Sequence, residues 1–515
     1  MHTPFELIAS LRERGVTIWL EGQQIRLRSP KGILLPSELE ELRARRDEII
    51  DHLGTCVSLA SIPMWPRRVG VTPPLTATQR MPWYSAESRR LRPRSTTFAI
   101  RIHGPLQVST LRRGLEVLQH RHEALRTRIV PGDGVPTMRI EACADYRPTI
   151  VDAAQGTLSN AEDAARRCAQ EFIDRKLDYS SDPMFGTCLI RLASDDHMLV
   201  MSIEHLISDG VSVEILKREL WNVYRALTEG RAVELRPVRL QFADYAAWLE
   251  SAQPLWLSAH GTYWRTRLAD IPEPRWPAAP LTSGGRKAPF VTRDASLDAQ
   301  VSADLLRFAQ RNRILPSLVL CTAFVAAASR WCSQPDLTTA LVDGGRFRSE
   351  LIPMVGLLTT HLHLRVKCSE QAPLADLLEL VKMEFDNACK HRDFDWVTSL
   401  VPGLSVDLAF NWAPAASTGA EELADQGGDC ARLRTQLIPL RIEEQEVAAV
   451  LSLLPFKLML FCSQSRDGVT GHLSFDTDYF RCSAPDRFVA MFRAVLSTLL
   501  EQPTQQLQSV TARSS

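Results

Sequence analysis

The sequence predicts an α/β protein, a long two-lobed body preceded by a compact αββαα unit. Three observations carry that expectation. The chain has 515 residues, well past the ~250–300 at which a single hydrophobic core stops growing. From Leu75 to about Leu500, short apolar strand-like runs alternate with runs of helical period, the mark of strands and helices packed in layers. Near the N-terminus the period changes twice, and a proline-bearing stretch at 54–72 then separates the small unit from the body.

Phe5, Leu7, Ile8 and Leu11 recur at helical spacing, and Gly15 follows as a C-cap would, which predicts a helix over residues 4–14. "VTIWLEGQQIRLRS" alternates apolar and polar residues on both sides of a glycine-containing turn, the pattern of a β-hairpin. Pro36 then opens one or two helices in "SELEELRARRDEIIDHL", ending near Leu53. Residues 1–53 therefore form one unit, and 54–72, without a sustained period, read as a linker. In the body, "TFAIRI", "MLVMSI" and "DLTTALV" are expected strands, and "LRRGLEVLQHR", "SVEILKRELWNVYRALTEG" and "LPSLVLCTAFVAAASRW" expected helices. "APAASTGAEELADQGGD", residues 413–429, reads as an exposed loop, and 506–515 as a polar tail.

Composition narrows the function. Lys+Arg and Asp+Glu number 60 each, so the formal net charge is zero. The molecule as a whole has no field that draws nucleic acid or anionic lipid. The eleven cysteines are odd in number and scattered, with no C-x-x-C pair, which predicts thiols in a reducing compartment and no metal site. The N-terminus becomes charged before a signal-like stretch develops, and no run reaches the ~18 apolar residues of a membrane span. A cytoplasmic protein is expected.

The stretch "MSIEHLISDGVSVEIL", residues 201–216, places Glu204, His205, Ser208 and Asp209 where a buried strand should end and a helix begin. An imidazole titrating near ~6.5 accepts and returns protons near neutral pH, and a helix start offers N–H groups to a growing oxyanion. The same residues also fit a plainer reading, with Asp209 as a simple N-cap and His205 as a satisfied strand-end residue.

His205-x-x-x-Asp209-Gly210 resembles the H-x-x-x-D-G core of the chloramphenicol-acetyltransferase-like superfamily. Its setting is similar to the H-H-x-x-x-D-G motif of nonribosomal peptide synthetase condensation domains. Further blocks resemble that family in its order: "LTATQRMPWY" (75–84), "RHEALRT" (121–127), "QFADYAAWL" (241–249), "GGRFRSELIPMVGLLTTHLHLRV" (344–366), "HRDFDW" (391–396), "DLAFNW" (407–412) and "PFKLMLFCSQSRDGVTGHLSFDTDYF" (455–480). The resemblance implies two acetyltransferase-like lobes in a V, at 73–245 and 246–505, with a tunnel between them for phosphopantetheine-borne substrates. It implies that His205 deprotonates or positions the acceptor, that Asp209 holds the loop through a salt bridge with Arg346, and that Gly210 leaves room for substrate. Two positions depart from the pattern: Glu204 replaces the first His, and Thr359 or Thr360 replaces an Asn. If strand residues alternate, Glu204 faces away from His205 and supports the site rather than reacting.

Residues 1–53 resemble the β-hairpin docking domains that precede condensation bodies. The resemblance implies that the hairpin edge pairs with the C-terminal tail of an upstream carrier protein. An unpaired strand edge is suited to that by its free N–H and C=O groups. Arg26, Arg28 and Lys31 either read acidic residues on the tail or form a solvated face, and Trp19 is either hairpin core or groove wall. With one condensation body and no further synthetase module in the sequence, a free-standing enzyme is expected. It resembles the release condensation enzymes of enacyloxin-type assembly lines. It would carry no bound cofactor and join a carrier-borne acyl group to an amine or alcohol. A catalytically silent carrier-binding scaffold and an acyl-CoA-dependent acyltransferase are the alternatives.

Overall fold

The strand that reads as the continuous apolar run "MLVMSI" lies at the centre of its five-stranded sheet, with both of its faces covered. In the computed structural model the described residues are 17–21, 24–28, 34, 36–55, 63–68, 70–80, 83–84, 95–132, 135–154, 158–175, 177–276, 290–401, 404, 406–413, 433–438, 456–465, 468–480 and 483–510. In the N-terminal unit β1 (Thr17–Glu21) and β2 (Gln24–Arg28) pair antiparallel, with Thr17 opposite Arg28 and Glu21 opposite Gln24. Helices α1 (Pro36–Ala44) and α2 (Arg46–Thr55) follow, and bury Leu42 and Ile49. The helix expected over 4–14 and the loop expected over 413–429 lie outside the described residues, except for Ala413.

The first lobe contains β3 (Ser95–His103), α3 (Val108–Arg121), β4 (Thr127–Val130), β5 (Thr137–Ile140), β6 (Thr149–Asp152), α4 (Leu158–Ile173), β7 (Phe185–Ala193), β8 (Asp196–Glu204), α5 (Gly210–Thr228) and α6 (Phe242–Arg267). Along β8, Leu199, Met201 and Ile203 enter the main core with α3 and α5. Met198 and Val200 point the other way, into a smaller core with Ala161, Ala165 and Ala169 of α4. This double burial is why "MLVMSI" carries no polar alternation.

The second lobe contains β9 (Phe290–Asp294), α7 (Ala299–Asn312), α8 (Pro316–Cys332), β10 (Asp336–Asp343), β11 (Thr360–Lys367), α9 (Leu374–Lys390), β12 (Leu408–Ala413), β13 (Arg434–Ile438), β14 (Leu458–Ser465), β15 (Gly468–Asp476) and α10 (Ala484–Glu501). Its six-stranded sheet runs β11-β10-β12-β14-β15-β9. Helix α8 is buried on nearly every side, as its unbroken apolar sequence requires. Among the described residues no single helix is long and apolar enough to cross a membrane.

Four features differ from the divisions read in the sequence. Helix α6 runs straight through the expected lobe boundary at 245/246. Strand β13 lies in the 246–505 segment, yet it pairs antiparallel with β3, giving the first lobe's sheet the order β13-β3-β8-β7-β6. It covers an edge of β3 that would otherwise expose unpaired backbone groups. The end of the expected linker is pinned to the body: Met64 is buried, and Arg67 reaches Asp244 at 2.8 Å and Glu123 at 2.9 Å. The expected polar tail is packed as far as residue 510, because Leu507 and Val510 are buried and the Arg330 guanidinium donates to both of their carbonyls.

Candidate active site

Strand β8 ends at Glu204, and the next three residues, His205–Ile207, form a single 3-10 turn before Asp209 starts α5. The His205 ring is exposed while Leu206, Ile207, Ser208 and Asp209 are buried. Its Nδ1 lies 2.6 Å from the Ser208 carbonyl oxygen. A carbonyl only accepts, so Nδ1 carries a proton, and in the neutral ring the lone pair sits on Nε2. The turn is held at two more carbonyls: Ser208 Oγ donates to Glu204 O at 3.1 Å, and Gln79 Nε2 donates to Leu206 O at 2.6 Å.

Asp209 is the N-cap of α5, accepting from the Ser212 amide at 2.8 Å. It is fully buried and receives Arg346 in a two-pronged contact, Nη1 to Oδ2 at 2.5 Å and Nη2 to Oδ1 at 2.9 Å. The Leu358 amide and the Thr359 hydroxyl also donate to Oδ2, at 3.0 and 3.4 Å. A buried carboxylate is tolerated only with such pairing, and here Arg346, Leu358 and Thr359 come from the second lobe. Of the two threonines at the altered position, Thr359 is the one that reaches Asp209; the Thr360 hydroxyl is buried with no hydrogen-bond partner. Arg346 is presented by a tight turn: Gly345 has φ +68°, and a Cβ there would lie 1.9 Å from the Leu358 oxygen. At Gly210 a Cβ would meet nothing within 4 Å, so the space beside the helix start is open.

Glu204 does not join His205. Its side chain is buried, and the Tyr179 hydroxyl donates to Oε2 at 3.1 Å. Trp19, Arg26 and Arg28 occupy positions on the paired hairpin strands, with Trp19 opposite Arg26; their side chains, and all of Lys31, lie outside the described residues.

A second polar cluster was not singled out from the sequence. His361 Nδ1 lies 3.0 Å from Asp395 Oδ1, and the Thr78 hydroxyl donates to Asp395 Oδ2 at 2.5 Å. Burial works against a proton on His361, but the charge and hydrogen bond of Asp395 outweigh it and hold the imidazole above its ordinary value. Beside it, burial pushes Asp393 up to about 8 and, with the charge of His361, pushes His363 down to about 4. Asp393 Oδ1 accepts from the amides of Phe394, Trp396 and Val397. The signal available in the sequence was a pair of histidines one residue apart, His361 and His363, followed later by Asp-x-Asp. Among the described residues no group of three His, Cys, Asp or Glu side chains is placed to hold a metal ion. The described cysteines are free, and burial holds the Cys321, Cys332, Cys368 and Cys462 thiols up to about 12.

An imidazole with its tautomer set, standing at the open start of a helix and tied across two lobes by a buried ion pair, is suited to acyl transfer, and the fold is of the two-lobed acyltransferase class. The chain belongs to the condensation-domain family: the sequence model of that family matches residues 71–515. The model of the TubC N-terminal docking domain matches residues 5–54. Condensation domains are acyltransferase-like enzymes that form amide or ester bonds. Enniatin synthase of Fusarium equiseti is 27% identical over 461 residues, covering 88% of this chain and 14% of that protein. The chain thus spans a small part of that relative's length. Among solved structures, the X-domain in complex with OxyB from teicoplanin biosynthesis superposes with TM-score 0.70 at 23% identity, covering 88% of this chain and 98% of that one. A structure described as the molecular basis for condensation domain-mediated chain release from the enacyloxin polyketide synthase gives TM-score 0.67 at 20% identity, covering 100% and 99%. These likenesses establish the fold.

Proposed function

We propose that the protein moves an acyl chain from the phosphopantetheine thioester of an upstream carrier protein to an amine or hydroxyl acceptor. It acts in the cytoplasm as a chain-release or trans-acting step of a nonribosomal peptide or polyketide pathway. The acceptor atom attacks the thioester carbonyl, and His205 Nε2 takes its proton. The tetrahedral oxyanion grows beside the positive end of α5, the C–S bond breaks, and the proton leaves with the pantetheine thiol. The protein itself needs no bound cofactor, because the prosthetic group arrives on the partner.

The observation that carries this reading is the 2.6 Å contact from His205 Nδ1 to Ser208 O, which places the lone pair of the neutral imidazole on Nε2 of an exposed residue. The docking-domain match supports a carrier-protein partner, and we place its tail on the hairpin edge near Arg26, Arg28 and Lys31.

The test is mass spectrometry of carrier and product after mixing the protein with an acyl-loaded carrier and a panel of amines and alcohols. Turnover should fall by roughly 10²–10⁴ in His205→Ala, with a stability loss of only about 1 kcal/mol from the hydrogen bond to Ser208 O. Binding of carrier by the wild type without turnover would favour the silent scaffold. Equal turnover with acyl-CoA, unaffected by deletion of residues 1–53, would favour the coenzyme-dependent alternative.

A further inference from the structure

We propose that Thr78 and Asp395 form a clasp between the lobes that positions the His205 imidazole through Gln79. The contact sequence is short. Asp395 Oδ2 accepts from the Thr78 hydroxyl at 2.5 Å, across 317 residues of sequence. Thr78 lies in the helical turn at 77–80, and the next residue, Gln79, is fully buried. Gln79 Oε1 accepts from the Thr76 amide at 3.0 Å, which fixes the amide plane and turns Nε2 towards Leu206 O at 2.6 Å. Leu206 is the middle residue of the 3-10 turn that His205 begins. A shift of the turn at 77–80 is therefore transmitted to the backbone that carries the catalytic ring.

The other end of the clasp is rigid. Asp395 sits at φ +60°, a left-handed conformation that persists in a non-glycine residue where surrounding contacts impose it. Its Oδ1 is held by His361 at 3.0 Å. His361 lies on β11, whose approach also delivers the Leu358 amide to Asp209. The titratable groups around the clasp are His361, His363 and Asp393; burial leaves His363 neutral and Asp393 protonated at neutral pH. Asp395, held below its ordinary value, faces His361, held above its own, and Thr78 takes the second carboxylate oxygen. Thr78 and Asp395 are positioning residues, and they act only through the turn.

The inference rests on the catalytic role given to His205, so its test includes a readout independent of turnover. Protein labelled in the histidine ring is followed by nuclear magnetic resonance, the His205 signal being assigned by its loss in His205→Ala. The wild type should show the Nδ1–H tautomer. Thr78→Val, nearly isosteric but without the hydroxyl, should show a mixture of tautomers and a shifted His205 titration. Its kcat should drop about tenfold, equivalent to ~1.4 kcal/mol, with unchanged KM for the acyl-carrier, and Thr78→Ser should restore both. Asp395→Gly should behave as Thr78→Val does, because it removes the carboxylate while suiting the positive φ. A wild-type His205 signal and titration in either folded variant would overturn the clasp. Absence of product from the wild type with every acceptor would instead count against the acyl-transfer reading, leaving the resonance result to decide the clasp.

Discussion

Raising the pH from 6.5 to 8 is expected to weaken the fold, chiefly because of Asp393. In the native state burial, then the neighbouring Asp395 charge, holds this carboxyl up to about 8 against an ordinary 3.8, while burial and the His361 charge hold His363 down to about 4 against 6.5. Between about 4 and 6.5 the folded chain keeps a proton on Asp393 and the unfolded chain keeps one on His363, so their contributions cancel. Above 6.5 the unfolded histidine has lost its proton and the folded carboxyl has not. The native state then binds one proton more, and stability falls with a slope of at most ~1.4 kcal/mol per pH unit, or ~2 kcal/mol across the window.

His361 adds to the fall, because a raised folded value gives stability that is full below the unfolded pKa and lost as pH climbs through the folded one. Asp395 is held below its ordinary value, burial being outweighed by His361, so its contribution is lost only in acid. Asp393→Asn keeps an oxygen for the three amides but cannot titrate. Urea unfolding at half-unit steps from pH 6 to 8.5 should show a shallower decline for the variant than for the wild type. Parallel curves would refute the assignment of a buried, protonated Asp393.

Arg346→Ala leaves the fully buried Asp209 carboxylate without its counter-charge and should cost ~3–5 kcal/mol of stability together with turnover. Guanidinium unfolding measures the first, and a loss below ~1 kcal/mol would mean that the pair does not hold the lobes together. Gly345→Ala should destabilise by more than the ~1–3 kcal/mol of a strained backbone, since the new methyl would meet the Leu358 oxygen at 1.9 Å. An unchanged unfolding midpoint would contradict the geometry of the turn that presents Arg346.

The elements that local pattern specifies were legible. The apolar run of β8, its end in polar residues, and a helix starting at Asp209-Gly210 follow from period and capping, and the partner of Asp209 followed from the resemblance of the "GGR" block. The illegible parts depend on contacts distant in the chain. Nothing in "RTQLI" tells β13 to leave its own lobe for the edge of β3, because an edge strand is chosen by which partner is unpaired. Arg67 sits in a stretch without period, and its role appears only when Asp244, 177 residues away, turns one oxygen to it and the other to the Gln241 amide. The His361, His363, Asp393 and Asp395 cluster was hidden for a related reason. Each residue fits a strand or loop on its own, and burial, which sequence spacing does not report, is what makes them chemically unusual.

The turn after β8 explains why polar residues interrupt an apolar strand. Three carbonyls on alternate residues need donors there: Glu204 O, Leu206 O and Ser208 O each accept from a side chain, of Ser208, Gln79 and His205 respectively. A 3-10 turn leaves such carbonyls without regular partners, and filling them removes the freedom a catalytic loop would otherwise lose on binding substrate. His205 is at once a clamp on the turn and the group the turn presents: its Nδ1 is committed to structure, and the reaction proposed above uses its Nε2. Asp209 then joins the same turn to Arg346, Leu358 and Thr359 of the second lobe. The position of the His205 imidazole is consequently set by both lobes together, and any relative movement of the lobes must disturb the ring or break a buried charge pair.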